Sequence, residues 1–177
     1  NTGGLALVAG KRHGGSVPVF AFEPAFDNFA ALVRNILAND LTGVITPLQV
    51  ALFDETGVRP FHRSSLGAGT ALHAVGEPLD YARRPFTPAA VERVPAFRLD
   101  DLVRTLALPM PTRLKLDVDG FESRVLAGAE VVLTSSRCDV YSELVEAGPD
   151  DPHPGQVVGQ LQRLGYEVAR RVDHRPA

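Results

Sequence analysis

A chain of 177 residues that is 45% hydrophobic can bury one core of ordinary size, so a single domain spanning 1–177 is expected. A formal net charge of -3 with no block of basic residues excludes a basic nucleic-acid surface, and no apolar run approaches the roughly eighteen residues of a membrane span. The one cysteine, Cys138, excludes an internal disulfide and a multi-cysteine zinc site, and the start lacks the pattern of a signal peptide, so a soluble, cytoplasmic protein is expected.

The chain opens on Asn1 without an initiator methionine, which reads as a cut end. Residues 4 to 12, GLALVAGKR, are helical in character behind the cap-type residues Asn1 and Thr2, and GGS at 14 to 16 breaks the chain. VPVFAFEP at 17 to 24 has the β-branched and aromatic content of a buried strand, ended by Pro24. FDNFAALVRNILAND then sets Phe29, Leu32, Val33, Ile36 and Leu37 at helical spacing, with Asp27 as its cap. VITPLQVALFD at 44 to 54 reads as one strand, and DETG before VRPFHR predicts a hairpin at its far end.

Residues 64 to 96, rich in Gly, Pro, Ser and Ala without a sustained period, predict a long loop, either a functional lid or a poorly ordered segment. VPAFRLDDLVRTLAL predicts a short strand and a helix, with Asp100 and Asp101 at the helix start where the dipole favours negative charge. RLKLDVDG is the next strand and FESRVLAGAEVVLTSS a helix with Phe121, Val125, Leu126, Ala129 and Leu133 on one face. CDVYSELV reads as a strand holding a buried, inert Cys138 thiol, PDDPHPG as a loop, QVVGQLQRLG as a helix capped by Gly165, and YEVARRV as a last strand. Strands alternating with helices predict βαβ units and a largely parallel sheet covered on both faces, with ligands bound beyond the carboxyl ends of the strands.

Three predicted strand ends carry carboxylates: Glu23 after VFAF, Asp117 and Asp119 after LKL, and Glu143 after VYS. An acid at the position of Glu23 either accepts hydrogen bonds from nucleotide ribose hydroxyls or is a solvated strand end. NTGG, about twenty residues upstream at a helix start, suits close approach of a ligand to the backbone. Asp117 and Asp119 have three readings. Both converge on one ligand from the same strand face, both hold a metal, or Asp119 is an N-cap for a helix beginning at Gly120. Glu122 falls in that helix's first turn, where the dipole accounts for it. His73 in the long loop is either a proton acceptor or an ordinary polar loop residue.

Taken in order, VFAFEP, the helix with Leu32 and Asn35, VALFDETG, FRLDDL, LKLDVDGFESRVLAGA and a strand ending in Glu143 resemble the FkbM family of S-adenosylmethionine-dependent methyltransferases. The resemblance runs from Asn1 to about Glu143 and implies a class I, Rossmann-like α/β sheet with helices on both faces. In the family this region begins with a strand and a turn ending Gly-Ala-Asn-x-Gly, of which Asn1-Thr2-Gly3 matches the last three positions. A fragment whose first strand lies upstream is therefore expected. Asp119 stands where the family usually carries glutamate.

Carried over residue by residue, the resemblance implies that Asn1 and Gly3 line the methionine end of S-adenosylmethionine and that Glu23 binds its ribose. Pro24, Ala51 and Leu52 would border the adenine, and Asp117 would lie by the methionine ammonium or the acceptor hydroxyl. Transfer to oxygen also needs a proton acceptor, for which Asp117, Asp119, Glu143 and His73 are the candidates. The expected partner is a small-molecule acceptor, a sugar or natural product recognised by the loop at 64 to 96, and neither nucleic acid nor membrane. A divalent metal is not expected in the cofactor set. The competing readings are a metal-dependent nucleotide-sugar transferase using Asp117 and Asp119, and an inactive binding module of the same fold.

Overall fold

The computed structural model describes residues 1–172 apart from Gly14 and Pro149, so the first glycine of the 14 to 16 break and the first proline of the 149 to 155 loop lie outside the described residues. Helix α1 (Gly4–Arg12) begins where expected. Its N-cap Gly3 has φ +90°, and a Cβ there would lie 2.3 Å from Leu32 Cδ1, so conformation and packing both require glycine. Strand β1 (Val19–Phe22) leads into α2 (Phe26–Ala38), which buries Leu32 and Ile36 with Leu41 and Ile45. Ala25, not Asp27, is the N-cap of α2, and Asp27 stands inside the first turn.

The segment from 44 to 54 is two strands rather than one. Strand β2 (Ile45–Leu48) runs parallel to β1, Val19 opposite Ile45 and Phe22 opposite Leu48. The Val50 N–H then donates to the Leu48 carbonyl at 3.0 Å, a turn tight enough to send β3 (Ala51–Leu52) into a different sheet. There β3 pairs in parallel with β6 (Ala90–Phe97), and β4 (Gly57–Arg63) lies antiparallel on the other side of β6. The expected hairpin of β3 with β4 is thus replaced by a sheet of order β3-β6-β4-β5, in which β5 is Ala74–Val75.

The segment from 64 to 96 accordingly carries β5 and most of β6, not loop alone. Along β6, Val94 and Ala96 are buried while Val91, Arg93 and Pro95 are exposed, a period of two that the Ala and Pro content obscured. Helix α3 (Leu99–Thr105) starts with Asp100 and Asp101 in its first turn, as expected. Strands β7 (Arg113–Leu116) and β8 (Asp139–Ser142) form a third, parallel ladder. Leu114 and Leu116 of β7 join Val125, Leu126, Val132 and Leu133 in the main core.

The helix expected over 121 to 136 breaks into α4 (Glu122–Ala127) and α5 (Glu130–Ser136). A Cβ on Gly128 would lie 2.0 Å from the Phe53 carbonyl oxygen, and Gly128 accepts the Asp100 N–H at 3.0 Å. The Asp100 carboxylate then accepts the N–H groups of Val131 and Val132 at 3.2 and 2.9 Å, supplying from another helix the cap that α5 lacks. Helix α6 (His153–Arg163) starts three residues earlier than expected and is followed by Gly165 at φ +87°. No ladder forms at 166 to 172: the Tyr166 hydroxyl donates to Leu133 at 2.9 Å, and the following residues stay exposed. Cys138 is buried with its sulfur 3.9 Å from that hydroxyl.

The architecture is mixed α/β, with parallel pairing at β1-β2, β7-β8 and β3-β6 and antiparallel pairing along β4. Among the described residues no helix is long and apolar enough to cross a membrane. Gly128 gives a direct test of the packing. Gly128→Ala is expected to destabilise the fold by about 1–3 kcal/mol, the scale of overpacking, seen as a lower urea midpoint at unchanged slope.

Candidate active site

Glu23 follows β1 directly, and its own N–H donates to Leu48 at 3.1 Å, continuing the ladder by one bond. The residue is only 6% exposed. Oε1 accepts the Ala25 N–H at 2.8 Å, and Oε2 meets the Asn1 amino nitrogen. Glu23 is therefore a buried acceptor rather than a solvated strand end. Asn1 lies against Glu23 and within the fields of Asp117 and Asp119. Carboxylates from the ends of β1 and β7 thus share one neighbourhood around Asn1.

Strand β7 stops at Leu116, and Asp117 is exposed beside Lys115, whose Nζ lies 3.3 Å from Asp117 Oδ2 and 3.3 Å from Glu143 Oε2. One ammonium thus joins the carboxylates at the ends of β7 and β8. Asp119 is neither on the strand nor an N-cap: α4 begins at Glu122 behind Phe121, and Asp119 is left-handed at φ +51°. Its Oδ2 accepts the Leu72 N–H at 2.8 Å. Burial, then the charges of Asp117 and Glu122, push its carboxyl above the usual range, although the Leu72 hydrogen bond and the Asn1 amino charge pull the other way.

His73 is built into the long loop. Its Nδ1 accepts the Ser64 N–H at 3.2 Å, which leaves the proton on Nε2, 3.0 Å from Thr70 Oγ1, and its ring stands edge-on to Phe61. Burial, then the charges of Arg63 and Asn1, push its pKa down to about 4. Gly67 and Gly69 fasten the loop to α2, donating to Asp27 Oδ2 at 3.2 Å and Asn28 Oδ1 at 2.7 Å, and Asn28 Nδ2 donates back to the Thr70 carbonyl at 2.9 Å. Asp27 is also paired with Arg63, which is 1% exposed and binds Glu92 of β6 as well, both at 3.1 Å. Ala51 is buried in the β3-β6-β4-β5 core, while Pro24 and Leu52 are half-buried.

The sequence reading missed the weight of Glu122. It stands in the first turn of α4 as expected, but it is a buried carboxylate bonded to His153 and to two amides of the turn after β7. Its place three residues after Asp119 carried no signal of burial. Among the described residues no three His, Cys, Asp or Glu side chains are grouped so as to hold a metal ion. The donor set at the strand ends is acceptor-rich, and it suits a ligand that presents hydroxyls or a cation.

The methyltransferase FkbM domain matches residues 3–168 of this chain. The chain belongs to the FkbM methyltransferase family. Within it, the chain is 31% identical over 194 aligned positions to the 31-O-demethyl-FK506 methyltransferase FkbM of Streptomyces tacrolimicus, with 98% of the chain and 72% of that protein covered. It is 27% identical over 152 positions to the hexuronic acid methyltransferase AglP of Haloferax volcanii, covering 86% of the chain and 56% of that protein. No solved structure matches.

The raised proton affinity of Asp119 makes stability depend on pH. Asp119 binds its proton more tightly in the fold than in the unfolded chain, so its charge costs stability at neutral pH and the cost vanishes as pH falls toward 3.8 and below. Asp119→Asn keeps an acceptor for the Leu72 N–H. It should raise the thermal midpoint at pH 7 and converge on wild type in acid, as followed by calorimetry across pH. His73 makes the complementary case: its ring is expected to remain neutral at pH 6, read from its imidazole nitrogen shifts in NMR.

Proposed function

We propose that this chain is an S-adenosylmethionine-dependent O-methyltransferase acting on a hydroxyl of a sugar or natural product. The observation that carries the reading is Glu23, a buried carboxylate just past a parallel strand, whose partner Asn1 precedes a glycine-started helix and lies in the field of Asp117 and Asp119. That arrangement suits ribose hydroxyls at one end of a cofactor and a cation at the other. The two relatives are named for a demethylated FK506 and a hexuronic acid, which supports a hydroxyl-bearing small molecule as acceptor.

The fold belongs to the same proposal. Among the described residues β1 and β7 each have one ladder partner, Phe22 of β1 packs on the core that contains Leu116, and His13 after α1 comes within 3.4 Å of Arg113 at the start of β7. A class I sheet with a further strand between β1 and β7 would use both free edges and join the two parallel ladders.

Bound S-adenosylmethionine supplies an electrophilic methyl group on a sulfonium. In this reading Glu23 accepts the ribose hydroxyls, Pro24 and Leu52 border the adenine with buried Ala51 shaping the wall behind them, and Asn1 and Gly3 bound the methionine end. Asp117 faces the ammonium or the acceptor hydroxyl. Asp119, with its raised proton affinity and one oxygen free of the Leu72 bond, is the preferred proton acceptor. Glu143 acts with Asp117 through Lys115. His73 serves as a loop anchor, since its only lone pair already accepts the Ser64 N–H. In-line displacement depends chiefly on alignment, which the fastened loop and turn provide.

Titration of S-adenosylhomocysteine into the full-length protein, with and without EDTA, tests the reading. Binding indifferent to EDTA is expected, and Glu23→Ala should weaken it by about 1–3 kcal/mol, the scale of lost hydrogen bonds to a charged group. Folded protein that does not bind would sink the proposal, EDTA-sensitive binding would favour a metal-dependent transferase, and an unaffected Glu23→Ala would remove Glu23 from the pocket.

A further inference from the structure

Beyond Leu116 the backbone of β7 loses its ladder, and the chain turns through Asp117, Val118, Asp119 and Gly120 before α4 begins. Asp119 and Gly120 are both left-handed, at φ +51° and +95°, conformations that an Asp-Gly pair takes readily in a tight turn. Glu122 closes this turn from beneath. Its Oε1 accepts the Val118 N–H at 3.1 Å and its Oε2 the Gly120 N–H at 3.1 Å, so one carboxylate binds the amides on either side of Asp119. His153, the first residue of α6, reaches the same Oε2 through Nε2 at 2.7 Å. His153 is itself fixed where its backbone N–H donates to Asp151 Oδ1 at 2.9 Å. From the other side, a Cβ on Gly120 would lie 2.8 Å from Tyr81 Cα, so the turn is wedged between the 77 to 86 loop and the Glu122 carboxylate.

We infer that Glu122 and His153 are positioning residues of the active site, holding the turn that carries Asp117 and Asp119 without touching the ligand themselves. The assignment rests on the methyltransferase reading above. It gives α6, which contributes nothing to the strand ends, a part in the site. The chemistry needs a carboxylate at 122 because three donors converge there. Glutamine offers one acceptor oxygen and turns an NH₂ toward either Val118 or Gly120. An ionised Glu122 accepts only, so it fixes the proton of His153 on Nε2. His153→Gln can still donate to Glu122, whereas His153→Phe cannot.

The test uses the full-length protein and S-adenosylhomocysteine as the probe, with amide hydrogen exchange as a second readout. Glu122→Gln and His153→Phe are each expected to weaken probe binding by about tenfold, a typical coupling for groups in one network. In an Asp117→Asn background the same substitutions should add little, because their effect passes through the turn. His153→Gln should recover most of the affinity. The Val118 and Gly120 amides, together with the Leu72 amide held by Asp119, should exchange faster in the two weakened variants.

Folded variants with wild-type affinity, or losses of equal size in both backgrounds, would overturn the assignment while leaving the methyltransferase reading intact. A wild-type protein that does not bind the probe would overturn that reading and the assignment with it. If Glu122→Gln fails to fold, the pair His153→Phe and His153→Gln decides the question alone.

Discussion

Carboxylates gathered at the ends of parallel strands repel one another, and much of the surrounding structure serves to keep them there. Glu23, Asp117, Asp119, Glu122 and Glu143 approach from three strand ends and one helix start. Lys115, shared by Asp117 and Glu143, brings positive charge among them, and His153 stands against Glu122. The remaining compensation comes from backbone amides: Ala25 on Glu23, Leu72 on Asp119, Val118 and Gly120 on Glu122. Amides fix an acid in place while neutralising less of its charge than a cation would. A region held this way retains a negative field into which a sulfonium or ammonium can settle.

The same economy explains why the irregular segment after β4 is ordered around the site. It is fastened at three points: Asp27 and Asn28 on α2, and Asp119 on the turn after β7. Asp119 anchors this segment through the Leu72 N–H, and in the proposed function it is also the proton acceptor, so that anchor and chemistry would meet in one side chain. Glutamate, with one more methylene, would place that anchor further out. The shorter aspartate here keeps Leu72 close to the turn, with Leu72 itself left-handed at φ +61°.

Local pattern made the beginnings and ends of most elements legible. The glycine start of α1, the apolar face of α2 and the carboxylates at the ends of β1, β7 and β8 all stand where the residue pattern placed them. Pairing was less legible, because composition says that 44 to 54 is extended but not that Val50 turns back and delivers Ala51 and Leu52 to β6. The alternation along β6 was masked by alanine and proline, which carry little hydrophobic contrast. Gly128 broke a well-patterned helix for a reason held by Phe53, seventy-five positions away in sequence. Glu122 was missed because an acid in a first helical turn has a sufficient local explanation. Only the fold shows that water is excluded from it and that His153 stands against it.

Arg63 adds a consequence for how the molecule comes apart. Its buried guanidinium spans the first turn of α2 and the middle of β6, and either carboxylate leaving would strand an uncompensated cation in the interior. Helix α2, whose apolar face packs in the β1-β2 layer, is thereby tied to the four-stranded sheet. Opening fluctuations that would otherwise be separate become one cooperative unit, and the loop bridging the two layers opens only when both do.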